Sequence, residues 1–329
     1  MEVPDYHLPS EAIAQVPAEP RDSARLLDAL DPAGRLVHRH VRDLPDLTGP
    51  GDVVVVNDTR VLPARLLLSK PTGGAAEVLL LEGSGEDWAA LVRPGRRLPP
   101  GTRLEPRAGG PAVVEVGERL DGGRRRVRLL APAEEVFTAH GQVALPPYVT
   151  TPLADAGRYQ TVYARRPGSV AAPTAGLHLT EDLLGRLREQ GTKVCTLDLA
   201  VGLATFKPIV SERAEDHAMH REHYSVPAAT WEACKGATRV IAVGTTTVRA
   251  LETVGITGRL EGDSDLYIRP GFTFSVVDVM LTNFHMPRST LLLMIEAFMG
   301  RRWRDVYAAA LGAGYRFLSF GDAMIASRR

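Results

Sequence analysis

A chain of 329 residues with 44% hydrophobic content holds enough apolar material for one large folded domain, or for a large and a small one. Its 39 basic residues are balanced by 39 acidic ones, which argues against a protein held to nucleic acid by bulk charge and leaves only local patches. No apolar run reaches the roughly 18 residues that span a bilayer, and the opening Met1-Glu2-Val3-Pro4-Asp5 lacks the basic and apolar stretches of a secretory signal, so a cytoplasmic protein without a membrane partner is expected. Cys195 and Cys234 stand apart, with no pairing framework and no zinc spacing, as expected of core thiols in a reducing compartment. Only Lys70, Lys193, Lys207 and Lys235 among the basic residues are lysines, a bias that fits a GC-rich genome or heat adaptation as well as phosphate binding.

Residues 52–57 (DVVVVN) form a continuous apolar run, the pattern of a strand buried on both faces. Between about residues 64 and 150 the texture changes. Short β-prone runs at 75–81, 88–93, 113–116 and 124–130 alternate with Gly and Pro, and Asp121-Gly122-Gly123 suits a hairpin turn. No amphipathic helix interrupts them before residues 132–140, so this stretch reads as a small antiparallel β-barrel or sandwich inserted into a larger domain. The remainder, residues 1–63 and 151–329, reads as α/β. Thr180 caps a helix through Gln190 with Gly191 as its stop, strands follow at 193–199, 239–244 and 276–281, and helices at 245–253 and 290–299. Strands alternating with helices imply a largely parallel sheet, wrapped or partly closed.

The segments after the apolar strands are rich in small and polar residues. Asn57-Asp58-Thr59-Arg60, Gly244-Thr245-Thr246-Thr247 leading to Arg249, and Thr282-Asn283-Phe284-His285 each follow such a run. Ligands of open α/β sheets bind beyond the carboxyl ends of the strands, where helix N-termini offer free N–H groups. Residues 170–178, which include Pro173, Thr174 and Gly176, form a small-residue loop that lets backbone approach a ligand and ends on His178. The run His217-Ala218-Met219-His220-Arg221-Glu222-His223 invites a metal reading, but it is not HExxH and offers no fourth ligand at a fixed spacing, so no metal is expected and a polar recognition segment is preferred. Arginines 124, 125, 126 and 128 on the hairpin are candidates for phosphate contacts, against the simpler reading of a solvated strand face; the 12 basic and 10 acidic residues of 64–150 decide nothing between them.

Taken together, these segments resemble the S-adenosylmethionine:tRNA ribosyltransferase-isomerases of queuosine biosynthesis. The resemblance rests on Asp5-Tyr6-His7-Leu8-Pro9, Asn57-Asp58-Thr59-Arg60-Val61, Leu145-Pro146-Pro147-Tyr148, Tyr159-Gln160-Thr161-Val162-Tyr163, residues 168–178 (GSVAAPTAGLH), His217 with Met219-His220 and Glu222, Gly244-Thr245-Thr246, Thr282-Asn283-Phe284-His285 and Tyr315-Arg316-Phe317 through Gly321-Asp322-Ala323-Met324. They run in family order over nearly the whole chain. The departures are Ala200 and Ala204, where the family carries His and Gly, and Leu179, where it carries an aromatic residue.

The resemblance implies a large barrel-like α/β domain with an inserted small antiparallel β-barrel. It implies transfer and isomerisation of the ribosyl group of S-adenosylmethionine onto the aminomethyl group of a 7-deazaguanine at the tRNA wobble position, with adenine and methionine released. S-adenosylmethionine is the co-substrate, the tRNA anticodon loop is the partner, the chain is expected to work as a monomer, and no metal is implied. The sulfonium acidifies the neighbouring 5′-carbon, so a base is needed; His178 and His285 are candidates, with His217 and His220 behind them. Asp322 or Arg316 would supply a proton or hydrogen bond to the departing adenine, and Tyr163 or Phe206 an aromatic face for the sulfonium. Asn57, Thr245, Thr246 and Asn283 are candidate ribose or methionine contacts, and Asp58, Arg60, Tyr159, Gln160, Pro173, Thr174, Gly176, Thr205, Phe206, Glu222, Gly244, Arg249, Phe284 and Tyr315 complete the candidate substrate-binding set. Ala200 motivates one alternative, a diverged paralogue that modifies a free deazapurine nucleoside or another small acceptor. A non-catalytic RNA-binding module is a second, and it leaves the polar strand ends unexplained.

Overall fold

The computed structural model describes residues 2–202 and 221–328, together with 209, 211, 213–217 and 219. Ala204 lies outside them. Two compact units separate, residues 1–60 with 146–329, and residues 61–145. In chain order the first unit opens with β1 (Arg25–Ala29), β2 (Val37–His40) and β3 (Asp52–Asn57). The second carries β4 (Arg65–Ser69), β5 (Ala75–Ser84), β6 (Asp87–Arg93), β7 (Thr102–Pro106), β8 (Val114–Arg119), β9 (Arg125–Leu129) and α1 (Ala133–His140). The first then resumes with α2 (Glu181–Glu189), β10 (Lys193–Leu199), β11 (Glu222–Ser225), α3 (Ala228–Lys235), β12 (Arg239–Val243), α4 (Thr245–Thr257), β13 (Glu261–Ser264), β14 (Val279–Asn283), α5 (Thr290–Met299), α6 (Trp303–Gly312) and β15 (Ala323–Ser327).

The first unit is built on a nine-stranded mixed sheet in the order β13-β11-β10-β3-β12-β14-β15-β1-β2. Its centre, β10-β3-β12-β14, is parallel; β15 runs antiparallel to β14, and the outer pairs on both sides are antiparallel except β15 with β1. The apolar run of β3 has a direct cause. Side chains alternate across a sheet, and Val53 and Val55 join the core that contains Val248, Leu251 and Val254 of α4, whereas Val54 and Val56 join the core that contains Leu183, Leu184 and Leu187 of α2. Both faces are covered, so the positions between Asp52, which pairs with Arg239, and Asn57 at the carboxyl end are all valine. Thr180 caps α2 by accepting the amide of Leu183 at 3.1 Å. Leu179, one of the departures from the resemblance, is fully buried among those same α2 leucines, where its volume serves the core.

The second unit is a closed antiparallel barrel. Six strands follow one another as β4-β5-β6-β9-β8-β7, and β7 pairs back onto β4 through Leu68 opposite Pro106 and Ser69 opposite Glu105. The β8–β9 hairpin turns at Asp121–Gly123, where Gly122 (φ 68°) and Gly123 (φ 77°) take the left-handed conformations that other residues resist.

The arginine run beside this turn lies on a solvated strand face, the simpler of the two readings, except at Arg125. Arg125 points into the barrel and is 3% exposed; its guanidinium donates to the carbonyls of Gly117 (2.6 Å), Leu98 (2.9 Å) and Gly95 (3.1 Å). Arg124, Arg126 and Arg128 point outward and pair with Glu82, Glu118 and Glu86 at 3.6, 3.2 and 2.9 Å. Period-two alternation put one member of the run inside, and Glu118 on β8, Glu82 on β5 and Glu86 in the β5–β6 turn offset the others. Among the described residues no helix is long and apolar enough to cross a membrane.

Candidate functional site

The carboxyl ends of β3, β12 and β14 carry the polar segments singled out in the sequence. Gly244 follows β12 at φ 88°, a left-handed turn that only glycine adopts at little cost, and it starts α4. Thr245 and Thr246 in the first turn of α4 line a cavity of about 560 Å³, together with His217, Glu222 and Arg249. Arg249 sits one helical turn further along α4 and forms a direct ion pair with Glu222 of β11; both side chains are less than a tenth exposed. Glu222 Oε1 also accepts the amide of Gly202 at 2.9 Å. Burial lowers the Arg249 guanidinium to about 10. Met219, Leu266, Ile268, Leu291 and Met294 give the wall its apolar part, beside Tyr267 and Thr290.

A second cavity, about 370 Å³, is lined by Tyr148, Thr174, Asn283, Phe284, His285 and Ser319 among others. Leu291 lines both cavities, so they adjoin at the start of α5. Asn283, the last residue of β14, organises this region. Its Oδ1 accepts the Thr174 hydroxyl at 2.9 Å, which turns Nδ2 toward His178 Nε2 at 3.1 Å. An amide nitrogen can only donate, so Nε2 is the acceptor and the imidazole is the neutral tautomer protonated on Nδ1. Burial lowers His178 to about 4, and the cationic Arg316 and Arg21 add to the effect. His285 is buried as well. Its Nε2 lies 2.9 Å from the Thr282 hydroxyl, its main-chain N–H donates to the Tyr307 hydroxyl (3.0 Å), and its carbonyl accepts from Tyr6 (2.6 Å). Burial alone lowers its ring to about 3. Both imidazoles are therefore neutral at ordinary pH; His285 lines the second cavity, and His178 lies one hydrogen bond behind its wall, on Asn283.

The loop carrying His178 is held from beneath. Arg21 donates to the carbonyls of Gln160 (2.9 Å), Leu177 (3.1 Å) and Gly157 (3.0 Å), and Tyr163 packs under Gly176 so closely that a Cβ there would strike its hydroxyl. Tyr159, Tyr163 and Pro173 are buried, and desolvation pushes both tyrosine hydroxyls above their usual range. Asn57 is fully buried and ties two strand ends together, donating to the carbonyl of Leu199 (2.9 Å) and accepting its amide (3.1 Å). Asp58 is buried beside it, and desolvation raises its carboxyl above the usual range; Arg60 is exposed.

Tyr315, Arg316 and Asp322 line neither cavity. Asp322 accepts the amides of Arg25 (3.0 Å) and Arg316 (2.8 Å), and the Arg25 guanidinium lies 3.8 Å over the Tyr315 ring. These three join β1 to the segment before β15, so the expected adenine-facing acid is engaged in holding backbone. Phe284 belongs to an aromatic cluster, stacked on Phe317 at 4.7 Å, while its edge reaches the second cavity. Thr205, Phe206 and His220 lie outside the described residues. His223 is exposed beside Asp263 and Glu261, and among the described residues no group of three or more His, Cys, Asp or Glu is arranged to hold a metal. The structure adds residues that the motifs did not single out as site residues. Tyr148 shares a 2.6 Å hydrogen bond with Ser319 and is pushed up to about 12 by burial, and Leu266, Tyr267, Ile268 and Met294 wall the first cavity. Only Tyr148 had a signal, its place in the Leu-Pro-Pro-Tyr segment.

Comparison with known proteins gives a consistent result. The family model described as queuosine biosynthesis protein matches residues 2–326. A protein of Rubrobacter xylanophilus called S-adenosylmethionine:tRNA ribosyltransferase-isomerase is 50% identical over 323 residues, covering 98% of this chain and 96% of its own length. One of the same name from Thermus thermophilus is 50% identical over 349 residues and covers 99% of both. The crystal structure of S-adenosylmethionine tRNA ribosyltransferase from Thermotoga maritima superposes with a TM-score of 0.56 at 32% identity, covering 98% of this chain and 99% of that one. With the model match and the half-identical relatives both spanning the chain almost end to end, this protein belongs to the family of queuosine biosynthesis proteins.

Proposed function

We propose that this protein transfers and isomerises the ribosyl group of S-adenosylmethionine onto the aminomethyl group of 7-aminomethyl-7-deazaguanine at the wobble position of tRNA, giving epoxyqueuosine-tRNA and releasing adenine and methionine. The observation that carries the reading is the pair of adjoining cavities beyond the carboxyl ends of β12 and β14, walled by Thr245, Thr246, Glu222, Thr174, Asn283 and His285. Relatives half identical over the whole chain carry names that include both S-adenosylmethionine and tRNA, which favours this reading over a free-nucleoside paralogue. The departure at Ala200 sits in ordinary backbone pairing, its amide donating to the His223 carbonyl at 3.0 Å. An acceptor base in an anticodon loop can be splayed out and read on its edges, which requires no bulk positive charge. A tRNA substrate places the reaction in the cytoplasm, and one chain carries both cavities, so a monomer suffices.

The proposed chemistry starts at the 5′-carbon, whose protons the sulfonium acidifies. A neutral imidazole must accept one of them, and His178 and His285 are both neutral because burial disfavours the cation. Asn283 occupies the Nε2 lone pair of His178, so that ring accepts the proton only as this hydrogen bond breaks, whereas Thr282 orients the ring of His285. Adenine release from S-adenosylmethionine, followed chromatographically with and without acceptor tRNA, tests the reading. Wild-type protein should release adenine only with the tRNA. Either His178→Asn or His285→Asn, whichever removes the base, should be slowed about 100- to 10,000-fold. No tRNA-dependent release would refute the reading, and near-normal rates in both variants would refute the assigned role.

A further inference from the structure

The first cavity combines features that a hydrophobic pocket does not need. A buried ion pair adds little to stability and can be replaced by apolar side chains of similar volume without loss. Yet Arg249 and Glu222 stand on the wall of an otherwise largely apolar cavity, each less than a tenth exposed. A guanidinium has five N–H donors, and among the described residues Glu222 is the one acceptor of Arg249. Above Arg249 is the first turn of the 13-residue helix α4, whose initial amides have no partner within the helix and whose positive end favours an anion. Thr245 and Thr246 add two hydroxyls on the same wall. Leu266, Ile268 and Met294 line the same cavity and offer a surface for a short aliphatic chain.

A cation and an anion side by side in a largely apolar pocket complement a zwitterion, whose two charges replace the internal pairing with crossed ones. We infer that this cavity is the subsite for the α-amino-acid end of the sulfonium substrate, with Arg249 and the start of α4 holding the carboxylate, Glu222 the ammonium, and the apolar wall the methylene chain. The second cavity, joined at Leu291, then receives the ribose beside His285, with His178 behind Asn283. This inference rests on the reading of S-adenosylmethionine as substrate.

Isothermal titration of the full chain with S-adenosylmethionine, its decarboxylated analogue and 5′-methylthioadenosine tests it. Wild-type protein should bind S-adenosylmethionine at least about thirtyfold more tightly than the decarboxylated analogue, the lower end of what a buried charge contact is worth. In the doubly substituted Arg249→Met, Glu222→Gln protein, which leaves no lone buried charge, that preference should shrink to about threefold or less, with 5′-methylthioadenosine bound as before. Thr245→Val, which keeps the ion pair, should weaken the carboxylate-bearing ligand alone. Equal wild-type affinity for the first two ligands, a preference that survives in the doubly substituted protein, or equal weakening of all ligands by Thr245→Val would overturn the assignment. Absence of any S-adenosylmethionine binding to folded wild-type protein would instead overturn the substrate reading itself.

Discussion

Acidification from pH 7 to pH 5 is a perturbation whose cost the structure specifies. His178 and His285 are buried and lowered to about 4 and about 3, against an ordinary value near 6.5 that applies in the unfolded chain. Between the folded and unfolded values the unfolded chain binds a proton that the folded one refuses, so stability is full above about pH 6.5 and falls as pH drops toward 4. At pH 5 each ring has cost about 2 kcal/mol relative to pH 7, or roughly 4 kcal/mol together, out of a typical 5–15 kcal/mol of total stability. Urea unfolding at the two pH values measures this, with His285→Gln as the comparison. The variant cannot refuse a proton it does not bind, so its stability deficit against the wild type should narrow by about 2 kcal/mol between pH 7 and pH 5. A deficit of constant size would show that His285 titrates normally in the native protein and would refute the burial argument. The same neutrality places the acid limb of the rate profile below pH 5; a limb near 6.5 would assign the essential group to another residue.

Asn283→Ala leaves His178 in place but frees its ring, so kcat should fall about 100-fold while KM for S-adenosylmethionine moves less than about threefold; an unchanged kcat would remove Asn283 from the positioning role. Gly176→Ala drives a methyl group against the Tyr163 hydroxyl and the Thr161 methyl, and should cost about 1–3 kcal/mol and a Tm drop of several degrees by calorimetry. Arg125→Leu strips the donors from three barrel carbonyls, and a loss of about 2–4 kcal/mol is expected in chemical unfolding; a neutral result would mean that water replaces the guanidinium.

The parts of the fold that periodicity controls were legible in the sequence. β3 coincides with the DVVVVN run because it is packed on both faces, and α2 starts where Thr180 can cap it. Helix α4 runs past the expected residue 253 and through Gly255 to Thr257, ending at Gly258 in the left-handed conformation. Arg125 was not legible, since nothing in a row of arginines marks the one whose partners are carbonyls of the adjacent strand and of the turn at residues 95–98. At the candidate site, strand-end polarity pointed to Thr245, Thr246, Asn283 and His285, which do line cavities. Leu266, Ile268 and Met294 could not be found this way, because an apolar residue on a cavity wall has the same sequence signature as one in a core. Asp322 has a structural task that its motif does not announce. A buried carboxylate in a conspicuous motif here accepts two backbone amides and holds a loop.

The most direct test of the proposed function is mass spectrometry of the nucleosides formed when purified protein is incubated with S-adenosylmethionine and tRNA bearing the aminomethyl-deazaguanine, with the free base present as a competitor. The account predicts an epoxycyclopentanediol nucleoside in the tRNA, with adenine and methionine released in equal amounts and the free base untouched. Modification of the free base in preference to the tRNA, or bound S-adenosylmethionine with no transfer to that tRNA, would contradict it.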